Sequence, residues 1–196
     1  AVYGNLKSEN SEESKLNPVS QYGLHKLLME KLAKFYSEKY KFKIIILRMF
    51  SVYGYKQYKQ LIWDAYNKLK KNSSVFYGTG NEERDYLHTD DLVNFILLLL
   101  KKSNKIKKNY EIFNLSSGFS KKVKEIINLV SIAMNSKSKI KFLHNKNSIH
   151  PKKLFSKSLK AKKFGWRAKR NIQIEIKKIV EDYKKNEKNS IYINKI

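Results

Sequence analysis

The chain reads as an α/β protein built on a parallel sheet, and three observations predict it. Short apolar runs alternate with longer stretches whose apolar residues recur at helical spacing, which implies strands joined by crossover helices. The run Ile44-Ile45-Ile46-Leu47 is continuously apolar and rich in β-branched residues, as a strand buried on both faces should be. The composition, 41% hydrophobic and 13% aromatic over 196 residues, suits a folded chain with one sizeable core.

Taken in order, the first element is a helix from Ser20 to about Tyr40. Its residues Leu24, Leu27, Leu28, Leu32, Phe35 and Tyr36 form a stripe between lysines and glutamates, which predicts a helix covering the sheet. A strand follows at Lys43 to Leu47, a helix at about Gln57 to Lys71, and a strand at Ser74 to Tyr77. Thr89 or Asp90 is the expected cap of a helix that runs to Lys101. Ile112 to Leu115 reads as a strand. Ser120 reads as the cap of a helix with the stripe Val123, Ile126, Ile127, Val130 and Ala133, and Ile140 to Leu143 as a further strand. Helices at Ser158 to Phe164 and Ile172 to Tyr183 close the fold, before a Lys/Asn tail expected to fray.

Charge and composition exclude several functions. The net charge of +25 invites a nucleic-acid reading, but only Arg48, Arg84, Arg167 and Arg170 among 42 basic residues are arginines, and bidentate phosphate and base recognition favours arginine. Lysine doublets spread along the chain point instead to biased genomic composition, so no nucleic-acid partner is expected. No apolar run approaches the roughly 20 residues of a membrane span, since Phe95 to Leu100 is cut off by Lys101-Lys102. A cytoplasmic protein without a membrane partner is the expectation. Cysteine is absent, and His25, His88, His144 and His150 lack ligand spacing, so metal is not expected.

Tyr22 and Lys26, four residues apart at the start of the first helix, share a face. A lysine ammonium held near a phenol stabilises the phenolate and makes the tyrosine a usable general acid/base. An isolated pair of this kind decides nothing. Around it, in order, stand Ala1-Val2-Tyr3-Gly4, Asn17-Pro18-Val19-Ser20, Arg48-Met49-Phe50-Ser51-Val52-Tyr53-Gly54, Tyr77-Gly78-Thr79-Gly80, Arg84-Asp85-Tyr86-Leu87-His88-Thr89-Asp90-Asp91, Ile112-Phe113-Asn114-Leu115-Ser116-Ser117-Gly118 and Lys163-Phe164-Gly165-Trp166.

Together these motifs resemble the extended short-chain dehydrogenase/reductase family, the NAD-dependent nucleotide-sugar epimerases and dehydratases, from the middle of that fold to its C-terminus. The resemblance implies the C-terminal part of a Rossmann-type parallel sheet interleaved with a small α/β substrate-binding domain. Residues 1–50 would be a remnant of the NAD(P)-binding domain, and 51–196 mainly substrate-binding, with 85–115 returning to the Rossmann sheet.

In such a protein Tyr22 takes a proton from a sugar hydroxyl while hydride passes to nicotinamide, and Lys26 binds the nicotinamide ribose. Arg84 grips the nucleotide diphosphate, with an ion pair to Asp85 or Glu83 as the alternative. Ser51 stands where the family commonly has an asparagine on the substrate phosphate. Asp90 and Asp91 read as caps and supports. The family's second diphosphate-binding arginine falls near Asn147 to His150, where none occurs, leaving Lys146, Lys152 and Lys153 as point charges in its place.

The chain holds no G-x-x-G-x-x-G or G-x-G-x-x-G turn for the cofactor pyrophosphate. The family's catalytic Ser or Thr lies just ahead of the Ala1-Val2-Tyr3-Gly4 segment. The expectation is therefore an epimerase of the UDP-glucose 4-epimerase kind that lacks its N-terminal half and uses NAD or NADP. A non-catalytic remnant, or a partner-dependent fragment of a dehydratase or reductase, is the alternative. Dehydratases need an Asp-Glu pair where Ala1 and Val2 stand, which favours the epimerase. The partners implied are a nucleotide-diphosphate sugar, a separately encoded N-terminal half and a second copy in a homodimer.

Overall fold

The computed structural model describes residues 1–5, 9–143 and 152–193, the last six by backbone alone. Ser20, with an extended backbone, accepts the Gly23 amide and starts α1, Gln21–Tyr40. The chain continues through β1, Ile44–Met49, and β2, Ser51–Tyr53, into α2, Gln60–Lys70. Next come β3, Val75–Tyr77, β4, Glu83–His88, and α3, Thr89–Lys101, followed by a 3-10 turn. The remaining elements are β5, Tyr110–Leu115; β6, Ser120–Lys122; α4, Val123–Met134; β7, Lys141–Leu143; β8, Lys153–Leu154; α5, Leu159–Lys163; and α6, Ile172–Ile193.

The strands form small, mostly parallel sheets. β1 pairs in parallel with β5, Ile44 opposite Tyr110 and Met49 opposite Leu115. β2 lies parallel to β4, Ser51 opposite Tyr86, while β6 joins β4 antiparallel and β8 joins it in parallel. β3 and β7 form a separate parallel pair.

β4 is buried on both faces and feeds two cores. Tyr86 points into a core with Ile62, Tyr66, Phe76, Ile126, Ile176 and Tyr183, built by α2, α4 and α6. Its neighbour Leu87, on the opposite face of the pleat, packs with Phe95, Leu99, Phe113 and Trp166. Full burial of each such side chain contributes about 1.5–3 kcal/mol. Gly54 closes the junction between β2 and α3: a Cβ there would lie 2.1 Å from the Thr89 hydroxyl.

Several expectations are corrected. The α1 stripe does not cover the sheet: Leu24, Leu28, Leu32, Phe35 and Tyr36 are exposed, and the inward face carries Gly23, Glu30 and Ser37. Glu30 meets Arg48 and Ser37 donates to the Phe42 carbonyl, so polar contacts seat the helix. Neither Thr89 nor Asp90 caps α3; the His88 ring does, accepting the Asp90 amide. Ser120 lies in β6 opposite Asp85, and α4 begins at Val123. Gln57 precedes α2, its side chain donating to the Val52 carbonyl and its own carbonyl accepting from Tyr183. α6 runs on through the expected tail to Ile193.

Candidate functional site

Capping by Ser20 puts Tyr22 and Lys26 in the first two turns of α1. The Lys26 ammonium lies over the Tyr22 ring, 5.5 Å from its centroid. Both side chains are exposed, Tyr22 at 64%. Behind them Gly23 is pressed against the chain start, where a Cβ would lie 2.8 Å from the Ala1 carbonyl oxygen and 3.0 Å from Pro18. A phenol and an ammonium thus stand side by side on an open helix face.

Ser51 and Arg84 are brought together by the β2–β4 register. Ser51 opposes Tyr86, and Arg84 precedes Tyr86 by two residues, so both project from one face of the sheet. Arg84 donates to the Glu83 carbonyl at 2.8 Å. The alternative ion pair does not form: the Glu83 carboxylate is taken by Lys153 and Ser120, and that of Asp85 by the Ser117 hydroxyl and the Ser117 and Gly118 amides. Burial presses the Arg84 guanidinium below the ordinary arginine range, while Tyr86 and Glu82 act against that shift. A half-buried guanidinium bonded to no carboxylate among the described residues is ready for an anion.

The substitute cations fare differently. Lys153 is committed to Glu83, 3.0 Å away, and lies over the Phe155 ring. Lys152 is exposed. Lys146, Asn147, His144 and His150 lie outside the described residues. Asp91 is a support: its carboxylate accepts the Lys169 and Arg170 amides, and its carbonyl accepts the Trp166 indole. Among the described residues no cluster of His, Cys, Asp or Glu could hold a metal ion, and no helix is long and apolar enough to cross a membrane.

A buried polar network beneath α1 escaped the sequence reading. Arg48 donates to the Glu30 carboxylate through Nε, at 3.0 Å, and Nη2, at 2.7 Å. Its Nη1 donates to the Tyr3 hydroxyl at 2.8 Å and to the Glu12 carbonyl. Tyr3 in turn donates to Asn114, 2.6 Å away. Burial works against the charged guanidinium, but hydrogen bonds to Glu30 and Tyr3 outweigh it and hold Arg48 above the ordinary arginine range. The signal was available: Arg48 is the lone charge in an apolar strand, and a buried charge needs a partner.

A second cluster joins β4 to α6. The His88 ring is buried, with Nε2 3.8 Å from Glu175, itself bonded to Tyr55 and Lys178.

Residues 1–116 match the model of the NAD dependent epimerase/dehydratase family. A dTDP-D-glucose 4,6-dehydratase from Bos taurus is 31% identical over 195 residues, covering 94% of this chain and 54% of the relative. A putative UDP-glucose 4-epimerase from Methanocaldococcus jannaschii is 28% identical, with 95% and 61% covered. Among solved structures, the UDP-glucose 4-epimerase of Thermotoga maritima with UDP-glucose superposes with a TM-score of 0.82 at 26% identity, over 95% of this chain and 61% of that one. The dTDP-glucose 4,6-dehydratase of Bacillus anthracis in complex with NAD gives 0.83 at 25%, over 95% and 60%. The chain spans a little over half the length of these proteins.

Proposed function

The chain belongs to the NAD dependent epimerase/dehydratase family, and from that premise we propose that it carries the proton-transfer and diphosphate-binding groups of a nucleotide-sugar 4-epimerase. The observation that carries this reading is the Tyr22–Lys26 pair, ring and ammonium in contact on an exposed face. The Tyr22 oxygen takes the proton from the sugar C4 hydroxyl and later returns it. Lys26, one turn along, offsets the negative charge that develops on that oxygen.

Arg84 holds the diphosphate with its planar fork, and Ser51, on the same sheet face, adds a hydrogen bond of shorter reach than an asparagine would give. NAD or NADP, when bound, supplies the hydride acceptor. Of the described residues, Tyr22 and Lys26 fit its nicotinamide ribose, while the sequence offers no glycine-rich turn for its pyrophosphate.

Relatives of both reaction types match. Epimerisation is preferred because Ala1, the residue ahead of Val2-Tyr3-Gly4, carries no carboxylate for dehydration. The test joins this chain to the N-terminal segment of the Thermotoga maritima epimerase and assays UDP-glucose and dTDP-glucose side by side. Interconversion of UDP-glucose and UDP-galactose supports the reading; 4,6-dehydration of dTDP-glucose alone overturns it in favour of a dehydratase.

A second reading, a partner-dependent fragment, is favoured by one specific feature. α1 turns its apolar stripe outward, and β1 pairs on one edge only among the described strands. A separately encoded half that adds a parallel strand, or a second copy docking on α1, would cover such surfaces.

A further inference from the structure

α1 is seated in an unusual way. An amphipathic helix normally takes its rotation from the apolar stripe it buries. Here that stripe faces outward, and Gly23, Glu30 and Ser37, spaced two turns apart, are the buried positions. Of these, Glu30 makes the only two-pronged contact, with Nε and Nη2 of Arg48 on β1, and its carbonyl accepts the Tyr110 hydroxyl. Tyr22, Lys26 and Glu30 occupy successive i+4 positions on one ridge, so whatever fixes Glu30 around the helix axis also fixes the other two. A planar fork fixes direction as well as distance, which a point charge cannot do.

The other end of the same guanidinium reaches the segment ahead of α1. Through Nη1 it holds Tyr3 and Glu12, and Tyr3 belongs to the Ala1–Gly4 turn that abuts Gly23. Both the helix that bears Tyr22 and the turn packed against it therefore hang from one buried side chain.

We propose that Arg48, acting through Glu30 and Tyr3, is the positioning residue that sets the rotation of α1 and so the direction in which Tyr22 and Lys26 are presented. Its meaning for catalysis rests on the proposed role of that pair, but its geometry is tested without turnover.

The chain has no cysteine, so His25→Cys on α1 and Lys107→Cys ahead of β5, both exposed sites, take nitroxide labels selectively. Pulsed dipolar spectroscopy of the labelled chain should give one narrow distance. Arg48→Lys keeps the charge and loses the fork. It should remain folded by circular dichroism while the distance spreads over several values. A merely architectural ion pair would lower the melting temperature and leave the distance unchanged, and that result overturns the proposal.

If Arg48→Lys fails to fold, Glu30→Gln, which keeps shape and one acceptor, is read in the same way. Loss of the fold in both overturns it too. In the joined enzyme, Arg48→Lys should lower kcat about 10²-fold with KM for the nucleotide sugar unchanged, as expected of a reacting group moved by roughly an ångström. An unchanged distance sinks this inference alone, whereas an active Tyr22→Phe enzyme sinks the functional reading alone.

Discussion

A histidine that caps a helix with its own ring nitrogen must be neutral there, because protonation turns the acceptor into a donor facing another donor. His88 does this for the Asp90 amide at 3.1 Å. Burial lowers its pKa below the ordinary value, with Asp90 and Glu175 acting against the shift. The proton of the neutral ring therefore sits on Nε2. Since the unfolded ring protonates at about 6.5 and the folded one lower, this contribution to stability is present above that pH and is lost as pH falls below it. Long-range nitrogen–proton NMR at neutral pH should show the Nε2–H tautomer; an Nδ1–H signal would contradict the cap.

Asp85 shifts the other way: burial pushes it up to about 6 against the donors on Ser117 and Gly118. Its contribution is largest below the unfolded value of about 4 and declines as pH rises to about 6. The Ser117 and Gly118 amide shifts should titrate with a midpoint near 6, and Asp85→Asn should abolish that step. At this scale motif order singled out Tyr22, Lys26, Ser51 and Arg84 as the candidates of the proposed site. Glu30 was not singled out, because a lone glutamate on a lysine-rich helix carries no mark of the arginine it meets eighteen residues later.

Among the elements, periodicity located α1 and α4 well, since their apolar residues repeat every turn. It could not say what the α1 stripe faces. β4 and β6 were missed because Glu83-Arg84-Asp85 and Ser120-Lys121-Lys122 are polar strands, their carboxylates satisfied by side chains from other elements. The outward stripe of α1 makes a prediction of its own. Leu28→Lys with Leu32→Lys, at sites 52% and 56% exposed, should disperse self-association in sedimentation velocity while changing folding stability by less than about 1 kcal/mol. Unchanged association would place the contact surface elsewhere. Gly54→Ala drives a methyl group into Thr89 and should cost about 1–3 kcal/mol in urea unfolding.

For the whole molecule, the alternating pattern was enough for the α/β class, and the two cores that share β4 were beyond it, because burial of Tyr86 and Leu87 on opposite faces depends on which elements pack there. The 196-residue chain itself should bind NAD too weakly for calorimetry, since the contacts proposed for Tyr22 and Lys26 serve one end of the cofactor and the sequence offers no glycine-rich turn for its pyrophosphate. A micromolar dissociation constant would contradict this.

The central claim is that Tyr22 is the proton-transfer group. Its most direct test is Tyr22→Phe in the joined enzyme, reading UDP-glucose turnover and cofactor retention together. The account predicts a loss of about 10²-fold or more in turnover with the cofactor still bound, because only the phenolic oxygen is removed. Near-parental epimerisation by the Tyr22→Phe enzyme would contradict it.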